Sequence, residues 1–411
     1  MIDLVLCASG ADEVRIVHDL AQDGDHDVRV VRRCADLAET AAVVGAGIGQ
    51  AVLLDLSVRG LGRDVLAGLL EHVAVIGLRA ETAPEQTSLG LRQVVDAGAP
   101  IEEILAAISA AVDGEETAEP WTQDPVLDDA PEGGRVVVVW GPAGAPGRST
   151  LALNLAAEAA RAGRDTVLVD ADTYGPALGQ LLGVLDESPG IVAACRAFDR
   201  DTLDSRTLDA LLPVVQPRLR LLSGIGVPSR WPELGRSSLD GLWRALSRRG
   251  ELVIVDVAAP LEEDEELSYD TAAPQRNGAA LTAIQRADAV IATATADPVS
   301  LTRLLREHDR LRDLGVRELH VVVNRMGSPV PGDRVKELLG TRMPMTSLHL
   351  LPDDPAACRT AVWDGALLAE SSPRSPLRRA LRELAASPAL QGATAGAVPA
   401  AEAAPEPARA G

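Results

Sequence analysis

Lysine is almost missing from this 411-residue chain: Lys336 is the single example, so nearly every cation is an arginine. Aromatic residues make up only 2% of a composition that is 46% hydrophobic, which leaves Leu, Val, Ile and Ala to build the cores. The four cysteines, Cys7, Cys34, Cys195 and Cys358, form no C-x-x-C pair, which excludes the commonest zinc and dithiol motifs. No apolar run reaches the roughly 18 residues that would span a bilayer. The N-terminus has neither the basic stretch nor the long apolar core of a signal peptide. A cytoplasmic, soluble protein with no direct membrane anchor is expected. The net charge of −21 argues against strong nucleic-acid binding, which needs a basic surface for counterion release. Arg374, Arg378, Arg379 and Arg382 form a local basic cluster, read here as a solvated helix face.

Two breaks in composition divide the chain. Residues 114–134 are acidic and rich in Pro and Gly, as an exposed linker would be. Residues 387–411 are Ala/Pro-rich and expected to be disordered. Between and before them lie two segments, 1–113 and 135–386, both alternating strand and helix patterns. In the first, Ile2–Cys7, Val28–Val31, Val52–Leu56, Val73–Leu78 and Gln93–Val95 are the expected strands, closed by a helix over Ile101–Val112. The order and length resemble a response-regulator receiver domain, with Asp55 at the phospho-acceptor position. The supporting residues differ: Cys7-Ala8-Ser9 replaces the acidic pair, no hydroxyl follows Gly77-Leu78, and Ala97-Gly98-Ala99-Pro100 lacks the lysine. A pseudo-receiver used for docking or dimerisation is expected.

The most informative stretch is Val136–Thr150. Four valines predict a buried parallel strand, a glycine-rich turn follows, and an Ala/Leu-rich helix is expected from Ser149 to Ala162, with Gly163 as its C-cap. That layout is a phosphate-binding loop, in which backbone N–H groups and a helix N-terminus surround an anion. Gly144, Ala145, Pro146, Gly147, Arg148, Ser149 and Thr150 are the candidate nucleotide contacts; Ser149 is also a candidate Mg²⁺ ligand. Further along, Thr166–Val169 ends in Asp170-Ala171-Asp172, and Leu252–Val255 ends in Asp256. Ala289–Thr295 and His320–Val323 predict two more strands, the latter leading into Asn324-Arg325; Leu350-Leu351-Pro352-Asp353-Asp354 follows.

Taken together, these elements resemble the MinD/ParA family of P-loop ATPases over roughly residues 135–385. The resemblance implies an α/β fold, with a mostly parallel P-loop NTPase sheet flanked by helices on both faces, behind the receiver-like (flavodoxin-like) first domain. It implies ATP or ADP with Mg²⁺ as cofactors. Ser149, Asp170 and Asp256 would serve the metal, Asp172 would position the attacking water, and Asn324, Arg325, Pro352 and Asp353 would surround the base. The family's two loop lysines are replaced, by Ala143 and by Arg148, and the run after Asp256 is Val257-Ala258-Ala259-Pro260, without the usual glycine. Phosphoryl transfer rests on charge placed against the transition state, so weak or no hydrolysis is expected.

A receiver-like domain joined to such a loop resembles the CpaE group, especially its actinobacterial pilus/secretion-associated or septum-site-determining branch. That implies a positioning or regulatory role, a possible homodimer, and protein partners in a pilus, secretion or division assembly that would recruit it to a pole or septum. The alternatives are a nucleotide-free pseudo-ATPase scaffold and, disfavoured by charge, a ParA-type chromosome-partitioning ATPase. An iron–sulfur carrier of the Mrp type shares Asp170-Ala171-Asp172-Thr173-Tyr174-Gly175-Pro176 but needs the missing C-x-x-C.

Overall fold

A computed structural model describes residues 1–8, 10–22, 26–58, 61, 63–79, 91–113, 133–144, 146–184, 189–263 and 274–391. Ala145, most of the expected linker, and the tail from 392 lie outside the described residues.

The first unit is a five-stranded sheet of β1 (Ile2–Cys7), β2 (Val28–Arg33), β3 (Ala51–Asp55), β4 (Ala74–Arg79) and β5 (Val94–Asp96), in the order β2-β1-β3-β4-β5. Every neighbouring pair is parallel. This is the flavodoxin-like order of a doubly wound sheet. Alternation along the strands splits the core in two: Leu4, Leu6 and Leu53 pack with Ile104 and Ile108 on one face, while Val5, Cys7, Val52 and Leu54 pack with Leu66 on the other.

The second unit is an eight-stranded sheet in the order β13-β12-β11-β6-β10-β7-β9-β8. Its strands are β6 (Arg135–Trp140), β7 (Thr166–Ala171), β8 (Val214–Gln216), β9 (Leu219–Leu222), β10 (Leu252–Val257), β11 (Ala289–Thr295), β12 (Leu319–Met326) and β13 (Ser347–Pro352). All neighbours run parallel except the edge pair of β8 and β9. That hairpin departs from the parallel strand–helix alternation expected of the chain; it turns through Pro217-Arg218, with Arg218 at φ +65°. Both faces of the sheet are covered. The helix Arg148–Arg161 packs with Leu377, Leu381 and Leu384 on one side, and Leu242, Leu281 and Leu304 cover the other. No helix among the described residues is long and apolar enough to cross a membrane.

Three expectations need correction. The second unit starts before residue 135: Gly134 N–H donates to Ser247 O, and a Cβ on Gly134 would sit 1.7 Å from Gly250 O. It also runs past 386, because Ala389 and Leu390 of the helix Pro388–Gln391 are fully buried. Finally, the C-terminal arginines are not all a solvated face. Arg378 Nε donates to Oε1 of the buried Glu158 at 2.7 Å, and its Nη1 to Pro373 O.

Candidate functional site

Strand β6 ends at the fully buried Trp140, and the chain leaves it through Gly141 so close to β11 that a Cβ there would meet Thr293 O at 2.4 Å. The turn closes at Gly147, φ +93°, where a Cβ would meet Asn324 Nδ2 at 2.6 Å. Only glycine satisfies both demands at Gly147. The helix then starts at Arg148, one residue earlier than expected, and aims its N-terminal partial charge into the turn. Ser149 and Thr150 fall in its first turn.

Two carboxylates face this turn from adjacent strands, since Asp256 of β10 is in register with Asp170 of β7. They have different surroundings. Asp170 Oδ2 accepts from Ala177 N–H (2.8 Å) and Leu178 N–H (2.9 Å), and Oδ1 from Asp172 N–H (3.3 Å). Burial raises its pKa to about 6 against these three stabilising bonds, with the Asp172 charge adding to the rise. Asp170, expected at the metal, is thus committed to folding the segment that follows β7. Asp256 is equally buried, yet neither of its oxygens has a hydrogen-bond partner. Burial first, then the Asp170 charge, push its pKa well above the ordinary value; the Ser149 hydroxyl, near but outside hydrogen-bonding geometry, and Arg148 pull it back. An orphaned carboxylate beside a helix-terminal hydroxyl is a hard oxygen donor set, and it fits Mg²⁺.

Arg148, at the position of a loop lysine, and Asp172, the residue expected to position water, meet each other. Arg148 Nη1 donates to Gly141 O at 3.2 Å, and Nη2 lies 3.4 Å from Asp172 Oδ2. Asp172 Oδ1 accepts from Tyr174 and Gly175 N–H at 2.8 and 2.9 Å. The same segment is pinned further by Tyr174 Oη to Asn277 Oδ1 and by Arg276 stacked 3.9 Å over the Tyr174 ring. Trp140 Nε1 donates to Ala259 O, which ties β6 to the exit of β10.

On the other side of the turn lies a cleft of about 320 Å³ lined by Gly147, Thr150, Asn324, Arg325, Pro352 and Asp353 among others. All the residues expected at the base are therefore together. Asn324, however, spends its amide on the loop: Nδ2 donates to Pro146 O, and Oδ1 accepts from Arg325 N–H, both at 2.9 Å. Arg325 is held at φ +57°, a costly conformation for a side chain with a Cβ. Two further residues escaped sequence reasoning. Cys358 lines the cleft, and Arg303 reaches the loop to donate from Nη1 to Ala143 O at 2.8 Å. Neither has a local sequence signal, because each is brought in by a distant helix.

Residues 134–223 match the ParA family model, described as NUBPL iron-transfer P-loop NTPase. No curated protein matches the chain. Among solved structures, the cell division ATPase MinD of Pyrococcus furiosus is 19% identical with a TM-score of 0.50, over 62% of this chain and 97% of that one. The septum site-determining protein MinD from Pyrococcus horikoshii OT3, complexed with Mg-ADP, is 19% identical at a TM-score of 0.49, over 61% and 94%. The ParA family ATPase of Chlorobium tepidum TLS is 18% identical at 0.49, over 61% and 98%. With its loop, its parallel sheet and the match over residues 134–223, the second unit takes the MinD/ParA P-loop NTPase fold.

Proposed function

We propose that this protein is a Mg²⁺-dependent adenine-nucleotide-binding regulator with weak or no hydrolysis, working in the placement of a pilus, secretion or division assembly as CpaE-like proteins do. The observation that carries nucleotide binding is the buried, unpartnered Asp256 carboxylate beside Ser149 at the mouth of a glycine-rich loop. Phosphates would sit against the N–H groups at the start of the helix Arg148–Arg161. Ser149 and Asp256 would hold Mg²⁺, which when bound neutralises phosphate charge. Asn324, Arg325 and Pro352 would border the base.

Slow turnover is supported by the ion pair between Arg148 and Asp172. A guanidinium shared between Gly141 O and Asp172 is less free to follow charge as it develops on a phosphoryl group, and Asp172 is less free to orient a water. The first unit would serve as a pseudo-receiver for docking or dimerisation. Its Asp55 carboxylate already accepts from Ser57 N–H and Oγ–H at 2.8 and 2.7 Å. An iron-transfer role has no thiol pair to work with in the second unit, since Cys195 packs on one face of the sheet and Cys358 on the other.

Calorimetric titration of the full chain with Mg-ATP and Mg-ADP tests the reading. Saturable micromolar binding that Gly147→Val abolishes, with only trace phosphate release, supports it. No heat at millimolar nucleotide overturns it in favour of a scaffold, and sustained hydrolysis that Asp172→Ala removes overturns the slow-turnover part.

A further inference from the structure

The phosphate loop has a second cation that its own motif does not supply. Arg303, on the helix Pro298–Asp313, crosses 160 residues of sequence to place Nη1 on Ala143 O at 2.8 Å. The same atom lies 2.9 Å from where a Cβ on Gly144 would stand, so Gly144, at φ +119°, is what leaves the guanidinium room. The backbone beneath Arg303 is firmly set: Asp297 caps the helix through Val299 and Ser300 N–H, and Leu301 and Leu304 are buried in the core. The side chain itself is exposed to solvent; among the described residues of the loop it meets a neutral carbonyl, and its charge also acts on Asp297 at the N-cap of its own helix.

A bound phosphate chain calls for that cation. Arg148, the cation inside the motif, is already paired with Asp172. A nucleoside triphosphate would bring further negative charge to its distal end, on the open side of the loop. A guanidinium binds phosphate oxygens far more strongly than it binds a neutral carbonyl, through two parallel charge-assisted bonds.

We infer that Arg303 is the residue that distinguishes triphosphate from diphosphate here: its guanidinium exchanges the Ala143 carbonyl for the terminal phosphate, while a diphosphate leaves it where it stands. This rests on the nucleotide site proposed above. Because Arg303 sits one turn into the helix Pro298–Asp313, the exchange would also pull on a helix that packs against β11.

The experiment is a set of calorimetric titrations of the full chain with Mg-ADP and with the Mg²⁺ complex of a non-hydrolysable ATP analogue, for wild type, Arg303→Ala and Arg303→Gln. Both variants are expected to weaken the triphosphate by about 10-fold or more, the size of a lost hydrogen bond to a charged group, and to leave Mg-ADP within about twofold. A full triphosphate preference in either variant would make the role one of loop support and overturn the inference. Equal weakening of both nucleotides, or of neither, overturns it too while leaving the nucleotide site standing. Failure of wild type to bind either nucleotide overturns both readings.

Discussion

The buried carboxylate of Asp170 makes the stability of the second unit fall as pH rises, and the size of the fall can be worked from the fold. The group titrates near its ordinary 3.8 in the unfolded chain and at about 6 in the folded one. Below pH 4 both states hold the proton and nothing is lost. Between the two values the folded state keeps a proton that the unfolded state has released, so stability drops by about 1.4 kcal/mol per pH unit. The drop ends above pH 6 at a total of about 3 kcal/mol. Asp170→Asn removes the titration while its amide oxygen can still accept from Ala177 and Leu178 N–H. Urea unfolding of wild type and variant, followed by the emission of the buried Trp140 and Trp243, gives the difference in stability at each pH. That difference should shift against wild type by about 3 kcal/mol between pH 4 and 6, and move further the same way above pH 6, where Asp256, freed of the Asp170 charge, ionises more readily in the variant. Parallel curves over the whole range would refute the argument, and would mean that the three backbone bonds outweigh burial.

Other consequences can be measured alongside. Gly147→Ala should cost about 1–2 kcal/mol for a non-glycine left-handed residue and displace Asn324 from Pro146 O, so thermal melting should fall and nucleotide titration should flatten. Arg378→Ala leaves Glu158 buried and unpaired, which should cost about 3–5 kcal/mol in urea unfolding, with Glu158→Gln in the same chain recovering part of it. His320 and His349, both lowered by burial and joined through Ser347 Oγ, add stability that is present above about pH 6.5 and lost as pH falls below it. Replacing His349 by Gln should shallow that acid-side loss in wild type and in Asp170→Asn alike.

The parts of the fold that sequence makes legible are those with local causes. Four valines in a row, a turn with glycines at its tight points and an Ala/Leu helix specify β6, the loop and the helix Arg148–Arg161 without reference to anything distant. Carboxylates at the ends of β7 and β10 are legible for the same reason, because strand ends in a parallel sheet point to one edge. What the carboxylates do is not legible. Asp170 and Asp256 look alike in the chain, and they are separated only by which backbone N–H groups fold over them. The β8 and β9 hairpin is too short, at three and four residues around a proline, to carry a period. Arg378 sits beside the apolar stripe of Leu377, Leu381 and Leu384, where a long side chain can turn either way; its partner lies 220 residues upstream.

The same distance problem hides the most telling property of the site, which is that its polar groups are largely satisfied by one another. Arg148 is held by Gly141 O and Asp172, Asn324 by Pro146 O and Arg303 by Ala143 O. Each bond is worth about 0.5–3 kcal/mol, more where a guanidinium donates, so exchanging all of them for contacts to a nucleotide subtracts from affinity. It also makes binding mechanically consequential. The Asp172 bond runs to the segment after β7, the Asn324 bond to β12, and the Arg303 bond to the helix Pro298–Asp313. A nucleotide that claimed these three side chains would therefore act on three separate parts of the sheet at once. Such coupling is what the proposed regulatory role would require, whatever the rate of turnover.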